Sequence, residues 1–290
     1  MVIIEVSDFK KYFGKTRAVD GVSFSVEKGE IFGFLGPNGA GKTTTIRCLM
    51  DFLRPTSGSI KLFGLDNQDH AVELKHRIGY LSGYVRFYDK WTGWDHIRFF
   101  RKFNGQSDSS AELIRRLDFD PTRKTGQLSS GNKQKLGIIL ALQHNPELLI
   151  LDEPTIGLDP ILQNEIYKII HERVLSGATV FFSSHNMPEV EKICNRVGII
   201  RQGKMVAVQR IEELKEKKVY RIHAHTDGAF DLSRFQTLNI TVLQSLEHEL
   251  NLEARGDINP IVKELSRYQL KELTIERAPL EQIFLEYYEK

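Results

Sequence analysis

Short, almost wholly apolar runs recur along the chain and are separated by amphipathic stretches. Residues 31–35, 148–151 and 178–182 read as strands that are buried on both faces, which is typical of a parallel sheet. Residues 42–53 and 161–174 have the longer period of helices that follow such strands. The alternation of buried strands with helices predicts an α/β fold.

The start of the chain has a different pattern. Residues 2–6 and 22–26 are rich in β-branched and aromatic residues, and the second run alternates apolar and polar positions, which predicts antiparallel strands with one buried face. Between these runs Tyr12 and Phe13 precede a turn at Gly14. One of these rings could stack on a purine base or pack against the neighbouring hairpin, and the local sequence leaves both readings open.

The pattern changes again near residues 215–218, where the charged run Lys-Glu-Lys-Lys reads as a linker. Beyond it we predict a small α+β domain, so the proposed boundaries are 1–214 and 215–290. Its predicted elements are strands 220–226, 240–246, 248–254 and 272–277 and helices 260–268 and 280–288. We find no catalytic set of residues in this part of the sequence.

Composition narrows the class of protein. The 290 residues carry 40 Lys and Arg against 38 Asp and Glu, and a net charge of +2 gives no reason to expect a nucleic-acid partner. No run approaches the roughly 20 apolar residues that span a bilayer. Cys48 and Cys194 lie in apolar segments and are expected to be buried thiols rather than a disulfide. These features favour a soluble, intracellular chain.

A glycine-rich turn follows the first buried strand and opens a helix at Lys42. Gly36, Gly39 and Gly41 permit backbone conformations in which successive N–H groups point inward at a polyphosphate. Lys42 adds a point charge, and the Thr43 hydroxyl is suited to Mg²⁺. The turn has the G-x-x-x-x-G-K-[ST] pattern in the required strand–turn–helix context, and it predicts a nucleoside triphosphate site.

Polar side chains end two other buried strands. Asp152 and Glu153 follow the strand at 148–151, and His185 follows the strand at 178–184. Carboxyl ends of parallel strands meet at one sheet edge, so we expect these groups beside the phosphate loop. Asp152 is suited to hold Mg²⁺ through water, Glu153 to polarise an attacking water, and His185 to contact a γ-phosphate.

Two further stretches invite an interpretation. Ser129 is a natural N-cap, and Ser130 and Gly131 let backbone amides approach an anion, although capping alone is the commoner role of such a segment. Residues 84–103 interleave aromatic and charged side chains. We interpret residues 83–95 as a docking surface for another protein, with an ordinary helix that buries its aromatic face as the alternative.

Together these motifs resemble the nucleotide-binding subunits of ABC transporters over about residues 2–215. Gly36–Thr43 matches the Walker A loop, residues 128–134 the signature, and residues 148–152 the Walker B strand. Residues 157–159 match the D-loop. The resemblance implies an ATPase core of the P-loop class with antiparallel β and α-helical subdomains, Glu153 as the catalytic glutamate and His185 as the switch histidine.

The resemblance also implies ligand contacts. It favours Phe13 over Tyr12 as the ring that stacks on adenine. The implied ATP contacts are Phe13, Tyr12, Gly36, Pro37, Asn38, Gly39, Ala40, Gly41, Lys42, Thr43 and Thr44. The implied Mg²⁺ ligands are Thr43 and Asp152. The residues implied to contact the ATP of a second copy are Ser129, Ser130, Gly131, Asn132 and Asp159.

On this reading two copies form a head-to-tail dimer that hydrolyses ATP and drives export through a separate transmembrane permease, with the ATPase peripheral on the inner face of the cell membrane. The small C-terminal domain resembles that of drug- and antibiotic-export ATPases and suggests dimerisation or regulation. The alternatives are a non-transport ABC ATPase and a regulatory ATP-binding module that does not hydrolyse ATP.

Two positions depart from the family pattern. The signature reads Leu-Ser-Ser-Gly-Asn-Lys-Gln, which keeps Ser129 and Gly131. At the Q-loop, alignment places Gly83 where the family usually has a side chain that contacts Mg²⁺ or water. This leaves the metal to Thr43, Asp152 and water, and it puts the usual coupling to the permease in question.

Overall fold

The structure is a computed structural model that describes residues 1–103, 108–216, 219–235 and 238–278. The chain divides into two compact units, residues 1–209 and 210–290, whereas our predicted boundary lay after residue 214. The charged run expected to be a linker is partly helical, because residues Ile211–Glu216 form a helix with Leu214 fully buried.

Strands and helices alternate through the first part of the chain. The strands up to residue 210 are β1 (Val2–Phe13), β2 (Thr16–Glu27), β3 (Ile31–Leu35), β4 (Ser57–Leu62), β5 (Leu65–Asp66), β6 (Ile78–Leu81), β7 (Leu148–Asp152), β8 (Thr179–Ser184), β9 (Arg196–Arg201) and β10 (Lys204–Arg210). The helices are α1 (Lys42–Leu49), α2 (Ala71–Arg77), α3 (Gly93–Arg101), α4 (Ser110–Arg116), α5 (Ser130–Leu142), α6 (Pro160–Leu175) and α7 (Met187–Ile193).

A six-stranded sheet in the order β10-β9-β3-β8-β7-β6 forms the centre of the first unit. β3 pairs in parallel with β8 and β9, and β7 pairs in parallel with β6 and β8. Every residue of β3, β7 and β8 is buried, as the apolar runs predicted. In register, Leu35 lies opposite Ser184, and Asp152 opposite Ser183. The chain therefore leaves these three strands at the same sheet edge.

A second, antiparallel sheet in the order β2-β1-β4-β5 covers one side of this core. The two antiparallel strands predicted at the start of the chain are confirmed, although each is 12 residues long. Phe24 of β2 packs with its ring centroid 5.5 Å from that of Phe32 and 5.8 Å from that of Phe181. Aromatic packing between the two sheets thus closes the main hydrophobic core.

The first helix ends earlier than its apolar pattern indicates. We expected it to continue to Leu53, but α1 ends at Leu49, and that part of the prediction is wrong. Asp51 has a left-handed backbone with φ of 50°, and the N–H groups of Phe52 and Leu53 both return to the carbonyl of Arg47. These bonds satisfy a helix-end carbonyl and reverse the chain.

Gly33 allows α7 to lie directly against the middle of β3. A Cβ atom at this position would lie 2.8 Å from Val190 Cγ1 and 2.9 Å from Cys194 Sγ. A glycine within a buried strand often marks such a close approach. Because Gly33 has no side chain, α7 can pack directly against the backbone of β3.

The second unit contains one antiparallel sheet and short helices. Its elements are α8 (Ile211–Glu216), β11 (Val219–Thr226), β12 (Ile240–Ser245), β13 (Glu249–Arg255), α9 (Asn259–Leu265) and β14 (Leu270–Arg277). The strand order is β12-β13-β11-β14, and Ile222, Leu252 and Leu265 belong to its own core. The predicted helix 260–268 ends three residues early, at Leu265. The predicted helix at 280–288 lies outside the described residues.

The structure bears on two further expectations, the state of the two cysteines and the presence of membrane-spanning helices. Cys48 and Cys194 are free and buried, so the prediction of buried thiols is confirmed. Burial raises the pKa of the Cys48 thiol to about 11. Across the ranges that the structure describes, we find no helix with the length and apolar character needed to cross a bilayer.

Candidate functional site

The phosphate loop, residues 36–43, joins β3 to α1 and packs against backbone on both sides. A Cβ on Gly36 would lie 2.3 Å from the carbonyl oxygen of Ile200, and one on Gly41 would lie 2.6 Å from that of Ala18. Gly41 also has a φ of 111°, which favours glycine. The tight seating leaves a backbone cradle at a helix N-terminus, and such a cradle suits a polyphosphate.

Lys42 places its ammonium group inside this loop. The side chain is 6 % exposed, and its Nζ donates a 2.6 Å hydrogen bond to the carbonyl of Gly36. The same nitrogen lies 3.4 Å from Oε1 of Glu153, a residue that follows β7. The loop lysine and the predicted catalytic carboxylate therefore belong to one cluster.

Asp152 and Thr43 meet beside Lys42. The Thr43 hydroxyl donates to Asp152 Oδ2 at 3.0 Å, and the Ser183 hydroxyl donates to Asp152 Oδ1 at 2.6 Å. Asp152 is 1 % exposed, so its carboxylate has a fixed orientation. Hydroxyl and carboxylate oxygens are the ligands that Mg²⁺ prefers, and the pair Thr43–Asp152 fits this ion. Gly83 lies next to it, since a Cβ there would be 3.3 Å from Asp152.

Glu153 is held in an unusual backbone conformation. Its φ is 50°, and its N–H donates to both the carbonyl and the hydroxyl oxygen of Ser183 at 3.2 Å. A non-glycine residue in this region costs free energy and persists where its surroundings determine it. Glu153 Oε2 lies 2.9 Å from Nδ1 of His185. The carboxylate thus lies between Lys42 and His185, where it can accept a proton from a water at the phosphate loop.

Ser183 supports both acids, and its hydroxyl can be tested directly. We expect Ser183→Ala to lower the free energy of unfolding by about 1–3 kcal/mol, because it leaves one buried oxygen of Asp152 without its donor. Urea denaturation measures the change. Ser59→Ala, at an exposed position on β4, is the control and should leave stability nearly unchanged. Equal stabilities of the two variants would contradict this role.

The signature segment lies at the start of α5. Ser129 caps the helix by accepting a bond from Asn132 N at 3.3 Å, and Ser130 beside it is exposed. Within the described parts of the chain, no hydrogen bond or salt bridge connects residues 129–132 to the phosphate loop of the same chain. Gln134 does contact the segment that follows Glu153, because its Nε2 donates to the carbonyl of Pro154 at 2.9 Å.

The D-loop, residues 157–159, leads into α6. Asp159 Oδ1 accepts from the N–H groups of Ile161 and Leu162, both at 3.0 Å, and so caps the helix. Two large apolar side chains flank the loop in solvent, Ile156 at 52 % and Ile161 at 84 % exposure. Exposed apolar groups in one place are typical of a surface that meets another protein.

The two rings at the end of β1 have different environments. The Tyr12 hydroxyl donates to Asp20 at 2.5 Å, and this bond raises the pKa of Tyr12. The guanidinium of Arg17 lies 5.7 Å from the Tyr12 ring centroid. Tyr12 is therefore engaged by the neighbouring strand, whereas Phe13 is 47 % exposed. The Lys11 ammonium lies 5.0 Å from the Phe13 ring centroid, and the exposed part of the ring can stack on a base.

Residues 83–95 form mostly a loop that precedes α3. Thr92 and Asp95 make a capping box at the start of that helix, and Tyr84 and Tyr88 are 80 % and 66 % exposed. The loop also borders a cavity of about 570 Å³ together with α5 and the D-loop. The alternative of a helix that buries its aromatic face concerns only residues 93–101. There His96 and Ile97 face the interior, whereas three other aromatic side chains are 36–40 % exposed, namely Trp94, Phe99 and Phe100.

Sequence reasoning missed the hydroxyl groups that support the acids. Ser183 and Ser184 are fully buried at the end of β8, directly after the apolar residues 180–182. Buried polar groups need partners, and two serines at the end of an apolar run are a signal that could have identified them. Which partners they contact could not be read from the sequence, because those residues lie far along the chain.

Comparison with known proteins gives one consistent family. The family described as "ABC transporter" matches residues 19–156. The chain is 40 % identical over 221 residues to a bacitracin transport ATP-binding protein of Bacillus licheniformis. This match covers 74 % of this chain and 72 % of the relative. It is 37 % identical to a linearmycin resistance ATP-binding protein of Bacillus subtilis, over 71 % of this chain and 68 % of the relative.

Solved structures agree with the sequence relatives. A structure described as the ATP-binding subunit of an ABC transporter is 27 % identical, with a TM-score of 0.69, and the match covers 74 % of this chain and 92 % of that one. A dimeric bacterial ABC transporter cassette, at 20 % identity and a TM-score of 0.67, has the same fold. The predicted α/β fold of the P-loop ATPase class is confirmed.

Proposed function

Because this chain belongs to the ABC transporter family and is one of its ATP-binding subunits, we propose that two copies hydrolyse ATP between them and drive export through a separate permease. The observation that carries this proposal is the cluster at the sheet edge. Glu153 contacts both Lys42 and His185 there, beside the pair Thr43–Asp152.

ATP binding follows from the phosphate loop. Its N–H groups and the Lys42 ammonium supply positive charge to the β- and γ-phosphates, and the Phe13 ring offers an exposed face for the base. Thr43 and Asp152 would hold Mg²⁺, which neutralises phosphate charge when bound. Ser183 keeps the Asp152 carboxylate turned toward Thr43.

Hydrolysis falls to Glu153 and His185. The Glu153 carboxylate orients a water for attack and accepts its proton, and His185 stabilises the charge that develops on the γ-phosphate. The 2.9 Å contact between the two side chains supports a joint role, because each limits the rotamers of the other. Their support from β8 and β7 is rigid, and this favours precise positioning.

A second copy of the chain completes the site. Ser129, Ser130, Gly131 and Asn132 form no hydrogen bond or salt bridge with the phosphate loop of their own chain in the described structure. The exposed Ser129 and Ser130 can instead approach the ATP of a partner. Asp159 stiffens the D-loop beside them. The exposed Ile156 and Ile161 would be covered in the dimer, which supports a homodimer.

The permease contact falls to residues 83–95. Exposed Tyr84 and Tyr88, with Arg86 between them, have the composition that protein interfaces favour. Docking there would hold the subunit at the inner face of the cell membrane. The names of the two relatives, one for bacitracin transport and one for linearmycin resistance, support an antibiotic as cargo.

Co-purification tests the permease contact. We expect the full chain, expressed with a permease found in a neighbouring reading frame, to be recovered as a complex from detergent extracts. Tyr84→Asp with Tyr88→Asp should reduce recovery of the membrane protein at least about tenfold, because it charges two interface anchors. Leu175→Asp, at an 87 % exposed position on α6, is the matched control. Full recovery with the double variant would contradict the assigned surface.

A further inference from the structure

One buried carboxylate on α7 collects three hydroxyl groups from three different elements. Glu189 is 9 % exposed. Its Oε1 accepts hydrogen bonds from the hydroxyls of Thr155, at 2.5 Å, and Tyr167, at 3.1 Å. Its Oε2 accepts from the Ser184 hydroxyl at 2.8 Å. The carboxylate therefore has specific partners on both oxygens.

Hydrogen bonds from hydroxyl groups, rather than a neighbouring cation, stabilise the Glu189 carboxylate. Among the residues that the structure describes, Glu189 takes part in no salt bridge. A buried acidic group without a counter-ion is costly unless its oxygens are fully hydrogen-bonded. The low polarity of the site strengthens the bonds that are present. Glu189 thus makes a stiff connection between the groups that donate to it.

Two of those groups belong to the loops that carry the proposed catalytic residues. Thr155 follows Glu153 and Pro154 on the way to the D-loop, and Ser184 directly precedes His185. The carbonyl of Ser184 also accepts from the N–H of Gly36 at 3.3 Å, at the start of the phosphate loop. Both catalytic loops are therefore attached to the same carboxylate.

The position of Glu189 is itself fixed from the core side. α7 lies against Gly33 of β3 through Val190 and Cys194, and Val190 is fully buried. The Ser184 hydroxyl is oriented as well, since it accepts from Asn186 N at 2.9 Å. Glu189 and the Ser184 hydroxyl are thus both held rigidly. A residue that positions catalytic groups must itself be held in this way.

We propose that Glu189 is a positioning residue for hydrolysis, which fixes the loop of Glu153 relative to the loop of His185 by holding Thr155 and Ser184. The inference rests on the proposed function, because it acts through those two residues. Both oxygens of Glu189 are occupied by protein hydroxyl groups, so its role is indirect. Its effect is on the rate of the chemical step and not on the affinity for ATP.

The main test is Glu189→Gln in the full chain, measured by steady-state ATP hydrolysis. Glutamine offers one acceptor oxygen in place of two, so one loop hydroxyl loses its acceptor. We expect kcat to fall about a hundredfold, as misplacement by about 1 Å does, while KM for ATP changes less than about threefold. A raised KM with unchanged kcat would overturn the proposal.

Thr155→Val and Ser184→Ala remove the same links from the other end, and they keep the proposal testable if Glu189→Gln does not fold. Each should lower kcat at least about tenfold, and combining either with Glu189→Gln should lower it little further, because members of one network are not additive. Full additivity, or wild-type kcat in both single variants, would overturn the inference.

Tyr167→Phe is the matched control. It removes the third hydroxyl, which comes from α6 and belongs to neither loop, and kcat should stay within about twofold of the wild type. A loss as large as that of Thr155→Val would mean that the cluster matters only for packing. ATP hydrolysis by the wild-type chain distinguishes failure of the proposed function from failure of the role of Glu189. If it hydrolyses no ATP the proposed function fails, whereas normal turnover by Glu189→Gln removes this inference alone.

Discussion

Replacing Glu153 by Gln should stop ATP turnover while leaving ATP binding intact. The amide keeps the shape of the carboxylate and its place between Lys42 and His185, but it cannot accept a proton from the attacking water. We expect kcat to fall about 10²–10⁴-fold, the usual contribution of a positioned general base. Phosphate release under saturating ATP measures the loss.

The same variant should accumulate as an ATP-bound dimer, because in the proposed function hydrolysis would be the step that reopens the dimer. Light scattering with and without ATP and Mg²⁺ would show a doubled mass only in the presence of both. Glu5→Gln, an exposed change on β1, serves as the control and should behave as the wild type in both assays. Unchanged turnover in Glu153→Gln would remove Glu153 from the chemistry.

A single methyl group on Gly36 should weaken ATP binding at least about tenfold. The Cβ of Gly36→Ala would lie 2.3 Å from the carbonyl oxygen of Ile200. The oxygen is a backbone atom and the position of a Cβ is fixed by its own backbone, so neither can rotate away. The phosphate loop must therefore shift from β9, and its N–H groups lose their common direction. We expect ATP affinity to fall at least about tenfold and stability by about 1–3 kcal/mol.

Titration with a fluorescent ATP analogue measures the first effect and urea denaturation the second. Gly228→Ala is a suitable control, because a Cβ there meets nothing within 4 Å and the backbone conformation is ordinary. Wild-type affinity in Gly36→Ala would mean that the close contact with Ile200 does not define the loop in solution.

The fold was predictable where local pattern and tertiary context agree. β3, β7 and β8 are buried on both faces, so their apolar runs identify them without further information. The end of α1 was not predictable, because apolar residues continue to Leu53 while the backbone reverses at Asp51. An apolar pattern records which side chains are buried, and a helix and a turn can both bury them.

The chemistry of the candidate site could be inferred from local sequence and strand direction. Glycines, a lysine and a threonine in one short loop define a phosphate cradle, and acids or a histidine at strand ends are brought to one edge by the parallel sheet. These features are local, or they follow from strand direction alone. They also carry the family resemblance that the comparisons confirm.

The groups that hold that site in place became visible in the folded chain alone. Ser183 supports Asp152 from 31 residues away, and Glu189 reaches Thr155 across 34 residues. The carbonyl of Ile200 sets the limit on Gly36 in the same way. Such contacts depend on strand register and on how closely a helix packs against a sheet, and both are fixed by the whole core rather than by any stretch of sequence.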